Sequence, residues 1–189
     1  MLFLERKNEL DRLIGATLAS CGGASVSVDE AIAKTHALIQ AVISNHQHIY
    51  VIGNGGSSGI ASHHANDLLN CTGVAAVALS DASQITCMAN DYGYENVYAR
   101  PLAALGRKND LLIAISSSGK SKNILVACET MRKAGASVVT LSGFEPENPL
   151  RQLGDINYFT GVKDYGLVES AHFFILHTIV DVWTNKIRK

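Results

Sequence analysis

The sequence predicts an α/β fold, a parallel sheet with helices packed on both faces. Two observations predict it. From Ile49 onward, apolar runs of strand length alternate with stretches of helical periodicity. Two of these runs open into small, hydroxyl-rich turns, Gly53-Asn54-Gly55-Gly56-Ser57-Ser58-Gly59 and Ser116-Ser117-Ser118-Gly119-Lys120-Ser121, and a helix follows each turn. Open parallel sheets bind ligands at such turns, at the C-terminal ends of their strands. With 189 residues the chain is expected to form a single domain, 1–45 supplying N-terminal helices and 46–189 the α/β core.

Residues 2–20 place Leu2, Leu10, Leu13, Ile14 and Leu18 at broadly helical spacing among charged residues, and Cys21-Gly22-Gly23 ends that helix. Ser27-Val28-Asp29-Glu30 reads as the cap of a second helix that runs to about Ser44. These two helices exceed what a minimal nucleotide-type fold needs, and suit packing on the domain or contact between subunits. The first strand is 49–52 and the second 74–79, followed by a helix over 82–90. A loop from Asn90 to Tyr94 precedes a short helix over 96–105. The remaining strands are 110–116, 136–142 and 155–160, with a helix over 123–134 and a long closing helix over 168–186. There is no internal repeat and no low-complexity segment.

Apolar residues make up 47% of the chain and charged residues 17%, ordinary for a soluble globular protein. A net charge of −1 gives no bulk attraction to nucleic acid or an anionic membrane. No apolar run approaches the roughly 20 residues that span a bilayer, and charge from Glu5 onward leaves no secretory leader legible. Cys21, Cys71, Cys87 and Cys128 form no CxxC pair and read as reduced thiols of a cytoplasmic protein.

The two turns carry the chemistry. Unpaired N–H groups at a helix start, with the positive end of its dipole, point at an anion, and glycines let the backbone approach it. Two such turns in one domain can surround one phosphate. Neither fits the P-loop spacing, and G-x-G-x-x-G is absent around Gly53, so no nucleotide cofactor is expected. His63 and Asp67 lie four apart and share a helix face. Glu169 and His177 lie two turns apart on the last helix, with His172 between them. A single helical histidine is most often a packing or surface residue, which is the reading for His36, His46, His48 and His64. A carboxylate and a histidine on two helices, one rooted in a phosphate turn, can instead pass a proton between adjacent carbons. His63, Asp67, Glu169 and His177 are also ligand types for a divalent metal such as zinc.

Gly53-Asn54-Gly55-Gly56-Ser57, Ser80-Asp81, Ala89-Asn90-Asp91, Ser116-Ser117-Ser118-Gly119 with Ser121, and the final histidine helix occur in an order and spacing that resembles the sugar isomerase (SIS) superfamily. Within it, the chain resembles the sedoheptulose 7-phosphate isomerases, also called phosphoheptose isomerases, over nearly its whole length. The resemblance implies a flavodoxin-like three-layer sandwich on a five-stranded parallel sheet, with a helical N-terminal extension. It implies a homotetramer with active sites at subunit boundaries. The implied reaction converts sedoheptulose 7-phosphate to D-glycero-manno-heptose 7-phosphate through a cis-enediol, toward heptose for lipopolysaccharide or capsule. By the resemblance, Asn54, Gly55, Ser57, Asn90, Asp91, Ser116, Ser117, Ser118, Ser121 and Glu169 bind the phosphorylated sugar. By the same resemblance Asp67 and His177 transfer the proton and His63 falls on a histidine that binds zinc in some members, so one zinc ion per subunit is the expectation if the ligand types His63, Asp67, Glu169 and His177 gather.

The chain departs from the family at four positions. Asp67 replaces a glutamate, which shortens the reach by roughly 1.5 Å. Glu169 replaces a glutamine and adds a carboxylate that can strengthen a metal site or serve as the base. Cys71 replaces an arginine. Gly166 replaces an aspartate, with Asp164 nearby to compensate. These changes fit a different phosphosugar, a metal-dependent variant or weakened catalysis. A non-catalytic tetrameric binding protein of the replication-initiator-associating type is a further reading, but such relatives lack the final histidine. A sugar-phosphate sensor would come with a DNA-binding domain, for which this chain has no room.

Overall fold

A computed structural model describes residues 2–184, and strand and helix alternate through most of them. In chain order the elements are α1 (Leu2–Gly15), β1 (Leu18–Cys21), β2 (Ala24–Val26), α2 (Val28–Ser44), β3 (His48–Gly53), α3 (Gly56–Thr72), β4 (Ala75–Ala78) and α4 (Ala82–Tyr92). Then follow α5 (Ala99–Leu105), β5 (Leu111–Ser116), α6 (Lys122–Lys133), β6 (Ser137–Gly143), β7 (Ile156–Thr160) and α7 (Tyr165–Trp183). The tail of the closing helix expected beyond Thr184 lies outside the described residues.

The central strands read as continuous apolar runs because both of their faces are covered. All of β5 is buried. Side chains alternate across the sheet, so Ile49, Val51, Ile113 and Ile115 join one core with Ile39, Leu68, Leu176 and Ile179 from α2, α3 and α7. Tyr50, Ile52, Leu112 and Ala114 join the other, with Leu102, Ile124 and Met131 from α5 and α6. Each fully buried Leu or Ile side chain contributes roughly 1.5–3 kcal/mol.

The sheet has seven strands, in the order β2-β1-β7-β6-β5-β3-β4. The five from β7 to β4 are parallel. From β3 the chain steps outward to β4, then returns to the other side of β3 for β5, β6 and β7. The strand order therefore reverses between β3 and β5, and the two serine turns leave the C-terminal ends of those two strands. That crevice is where ligands bind in open α/β sheets.

The first 45 residues, expected to supply helices alone, also contain two strands. α1 stops at Gly15, and 18–26 form a hairpin whose Gly22 and Gly23 both have positive φ, 55° and 83°. Two consecutive positive-φ residues make the turn that matches strand twist. Gly22-Gly23, read in sequence as a helix stop, is thus a hairpin turn. β1 pairs antiparallel with β7, Leu18 opposite Phe159 and Cys21 opposite Ile156. The hairpin shields a sheet edge that would otherwise expose unpaired backbone groups, and raises the strand count from five to seven. α2 matches its expected span, with Ser27 Oγ accepting from the Glu30 amide at 3.1 Å. Among the described residues no helix is long and apolar enough to cross a membrane.

Candidate active site

The cradle begins at Gly55, whose φ of 54° and ψ of −123° start α3 without a side-chain cap. α6 also starts uncapped, at Ser121. In contrast, Ser27, Asp81 and Asp164 cap α2, α4 and α7. Both helices that follow the serine turns thus start with free N–H groups, as the short α5 also does at Tyr98, and two such starts facing one crevice are the arrangement an anion needs. A cavity of about 110 Å³ lies between the turns, lined by Asn54, Ser57, Ile115, Ser116, Ser117, Ser118, Ser121, Tyr165 and Glu169. Ser116 Oγ donates to Ser121 Oγ at 3.3 Å, and the Lys120 amide donates to Ser118 Oγ at 3.2 Å. Among the described residues, Ser117 Oγ is buried without a hydrogen-bond partner.

An orphaned buried hydroxyl costs free energy until something fills its place. Ser117→Ala is therefore expected to leave thermal stability unchanged or slightly raised. The KM for a phosphosugar should rise by about 10-fold, as for a lost bond to a charged group. Melting curves and steady-state kinetics check the two halves separately.

Eleven residues down α3 from Gly56, Asp67 Oδ2 lies 3.2 Å from His63 Nε2 and 3.4 Å from His177 Nδ1. These atoms all lie within 4.8 Å of one another. Two imidazole nitrogens and one carboxylate oxygen are donor types that zinc takes, so these three residues could hold a metal ion. Phe173 sets both rings, its centroid 5.0 Å from His63 and 4.4 Å from His177.

Glu169, expected as a fourth ligand, is not part of this group. It lies two turns earlier on α7, against the opposite end of α3. A methyl group on Gly56 would come within 2.3 Å of Glu169 Oε2. Glu169 therefore belongs to the cradle, and only a glycine at 56 admits it there. Asp164, expected to compensate for Gly166, lies outside the lining of the serine cavity. Its Oδ1 accepts from Arg6 Nη2 at 2.7 Å and caps α7 through the Leu167 amide at 3.0 Å. Asn90 and Asp91 are exposed at the end of α4, bonded to one another at 2.9 Å, and line no part of the serine cavity.

Two buried histidines flank the site. Burial, with the charges of His177 and His63 adding to it, pushes His64 down to about 3. Burial pushes His172 down to about 4 against a backbone bond to Ser142. His172 Nε2 donates to Ser142 O at 3.1 Å, and its Nδ1 is buried without a partner among the described residues.

A family model described as the SIS domain matches residues 18–143. A phosphoheptose isomerase of Helicobacter pylori is 38% identical over 154 residues, 78% of this chain and 79% of that protein. The chain belongs to the phosphoheptose isomerase family. A phosphoheptose isomerase from Francisella tularensis superposes with a TM-score of 0.82 at 28% identity, covering 95% of this chain and 93% of the other. The one from Neisseria gonorrhoeae gives 0.75 at 30%, over 81% and 85%.

Within the family's frame, the structure adds site residues that the sequence reading passed over. Tyr165 lines the cavity four residues before Glu169, and Phe173 lies four before His177, so helical spacing alone could have found both. Asn123 and Tyr94 hold Asn54 from elements distant in sequence, and no periodicity points to them.

Proposed function

We propose that this chain is a phosphosugar aldose–ketose isomerase whose substrate is sedoheptulose 7-phosphate, yielding D-glycero-manno-heptose 7-phosphate for lipopolysaccharide or capsule. One observation carries the reading. Asp67, on the helix whose uncapped start opens into the hydroxyl-lined cavity, bridges His63 of α3 and His177 of α7. Ser57 and Asp67 are ten residues apart on α3, about 15 Å along its axis. That span separates two tasks along one helix, phosphate binding at its start and proton transfer at Asp67 beside His177.

Asp67 takes a proton from C1, and the C2 carbonyl oxygen gains one, leaving a cis-enediol. Return of a proton to C2 and loss of the O1 hydroxyl proton give the aldehyde. His177, 3.4 Å from the carboxylate, carries the proton between the two positions. His63 orients Asp67 from the other side. Zinc held by His63, Asp67 and His177 would polarise the sugar oxygens at C1 and C2.

The reading includes a cytoplasmic homotetramer with sites at subunit boundaries. Exposed apolar side chains support it: Leu2, Phe3 and Leu4 on α1, which buries nothing, and Leu69 and Phe174 on the two site helices.

The test is deuterium incorporation at C1 of sedoheptulose 7-phosphate in heavy water, followed by NMR with and without added zinc. Wild type should exchange, and His177→Ala should not. No exchange by wild type under either condition, across a panel of ketose phosphates, sinks the isomerase reading. Metal analysis checks the zinc site: one ion per subunit is expected, lost in His63→Ala.

A further inference from the structure

Asn54 ends the β3 turn and Asn123 stands in the first turn of α6, far apart in sequence and joined only by the fold. Their amides pair reciprocally. Asn54 Nδ2 donates to Asn123 Oδ1 at 3.0 Å, and Asn123 Nδ2 donates to Asn54 Oδ1 at 2.8 Å. Asn123 is 2% exposed, so the pair is shielded from competing water. Tyr94 Oη donates to the same Asn54 Oδ1 at 3.3 Å. Tyr98 Oη donates to the Gly53 carbonyl next along the turn, and burial, which pushes its phenol up to about 12, keeps that proton in place.

Both lone pairs of Asn54 Oδ1 are thereby occupied, and one Nδ2 hydrogen is spent on Asn123. A single N–H remains for a ligand in the cavity that Asn54 lines. Asn54 can act there only as a donor, which suits a phosphate or sugar oxygen. The pair also ties the α3 turn directly to the start of α6. The two uncapped helix starts and their hydroxyls face one cavity only while that distance is held.

We propose that Asn123 is a positioning residue for phosphosugar binding: acting through Asn54, it locks the two serine turns at the spacing of one phosphate. It touches no substrate itself. The proposal rests on the phosphate-binding reading of the cradle but not on isomerisation.

The experiment is a double-mutant cycle with Asn54→Ala and Asn123→Ala. It is read as the dissociation constant for inorganic phosphate, as KM and kcat for sedoheptulose 7-phosphate, and as the melting temperature. Each single change should weaken phosphate binding and raise KM by about 10-fold, with a smaller fall in kcat. The double variant should be little worse than Asn54→Ala alone, because that change already removes the partner through which Asn123 acts. Asn123→Ser, which keeps a small polar group in the buried position, gives the same reading should the alanine variant fold poorly. Fold-changes that multiply in the double variant overturn the proposal. So does a lower melting temperature with unchanged phosphate affinity, or a wild type that binds no phosphate. Wild type that binds phosphate but turns over no phosphosugar, with the cycle still non-additive, upholds the latch and overturns the isomerase reading.

Discussion

Asp67→Asn is expected to lower kcat by about 10²–10⁴-fold, the usual worth of a positioned acid–base group. The amide keeps the volume of the carboxylate but cannot take a proton from carbon. Affinity for inorganic phosphate should hardly move, since the cradle lies some three turns away on α3. Asp67→Glu should retain more activity than Asp67→Asn, because the lengthened side chain still offers a carboxylate. The shortened side chain still meets its neighbours: Asp67 reaches both His63 and His177 within 3.4 Å. Equal kcat in wild type and Asp67→Asn, measured at saturating substrate, would remove Asp67 from the chemistry. Glu169 would then be the remaining carboxylate to test.

Acid should unfold the protein more readily than a histidine-free core would allow. His172 is neutral in the fold because burial lowers its pKa from 6.5 to about 4. Between those values the unfolded chain binds a proton that the native protein refuses, so the contribution to stability is complete above 6.5 and lost as pH falls toward 4. The slope is about 1.4 kcal/mol per pH unit, for about 3 kcal/mol in all. His64 adds a share of the same sign. Urea unfolding near pH 7.5 and near pH 5 should differ by about 2 kcal/mol from His172 alone. In His172→Gln that part of the difference should disappear, although the variant is less stable at both values. An unchanged pH dependence in the variant would place its origin elsewhere.

The strands that the sequence displayed best are those covered on both faces, because burial leaves an uninterrupted apolar run. β3 and β5 are recovered almost to the residue for that reason. The 18–26 hairpin was misread because it gains its stability from the edge of β7, a partner more than a hundred residues away. A Gly-Gly pair marks a helix stop or a hairpin turn equally well until that partner is known.

The same division holds in the site. The serine turns, His63, Asp67 and His177 were legible, since turn chemistry and helical spacing are local. The sequence by itself determined the strand–turn–helix cradle and the residue types that move a proton. Which of those residues meet was decided by how α7 lies along α3. That contact sends His177 to Asp67 and leaves Glu169 over Gly56, in the cradle and away from the two histidines. The Asn54–Asn123 pair exists for a similar reason: the reversal of strand order between β3 and β5 brings two distant turns to one crevice. Only packing could place them there, because no spacing along the chain encodes a distance between separate strands.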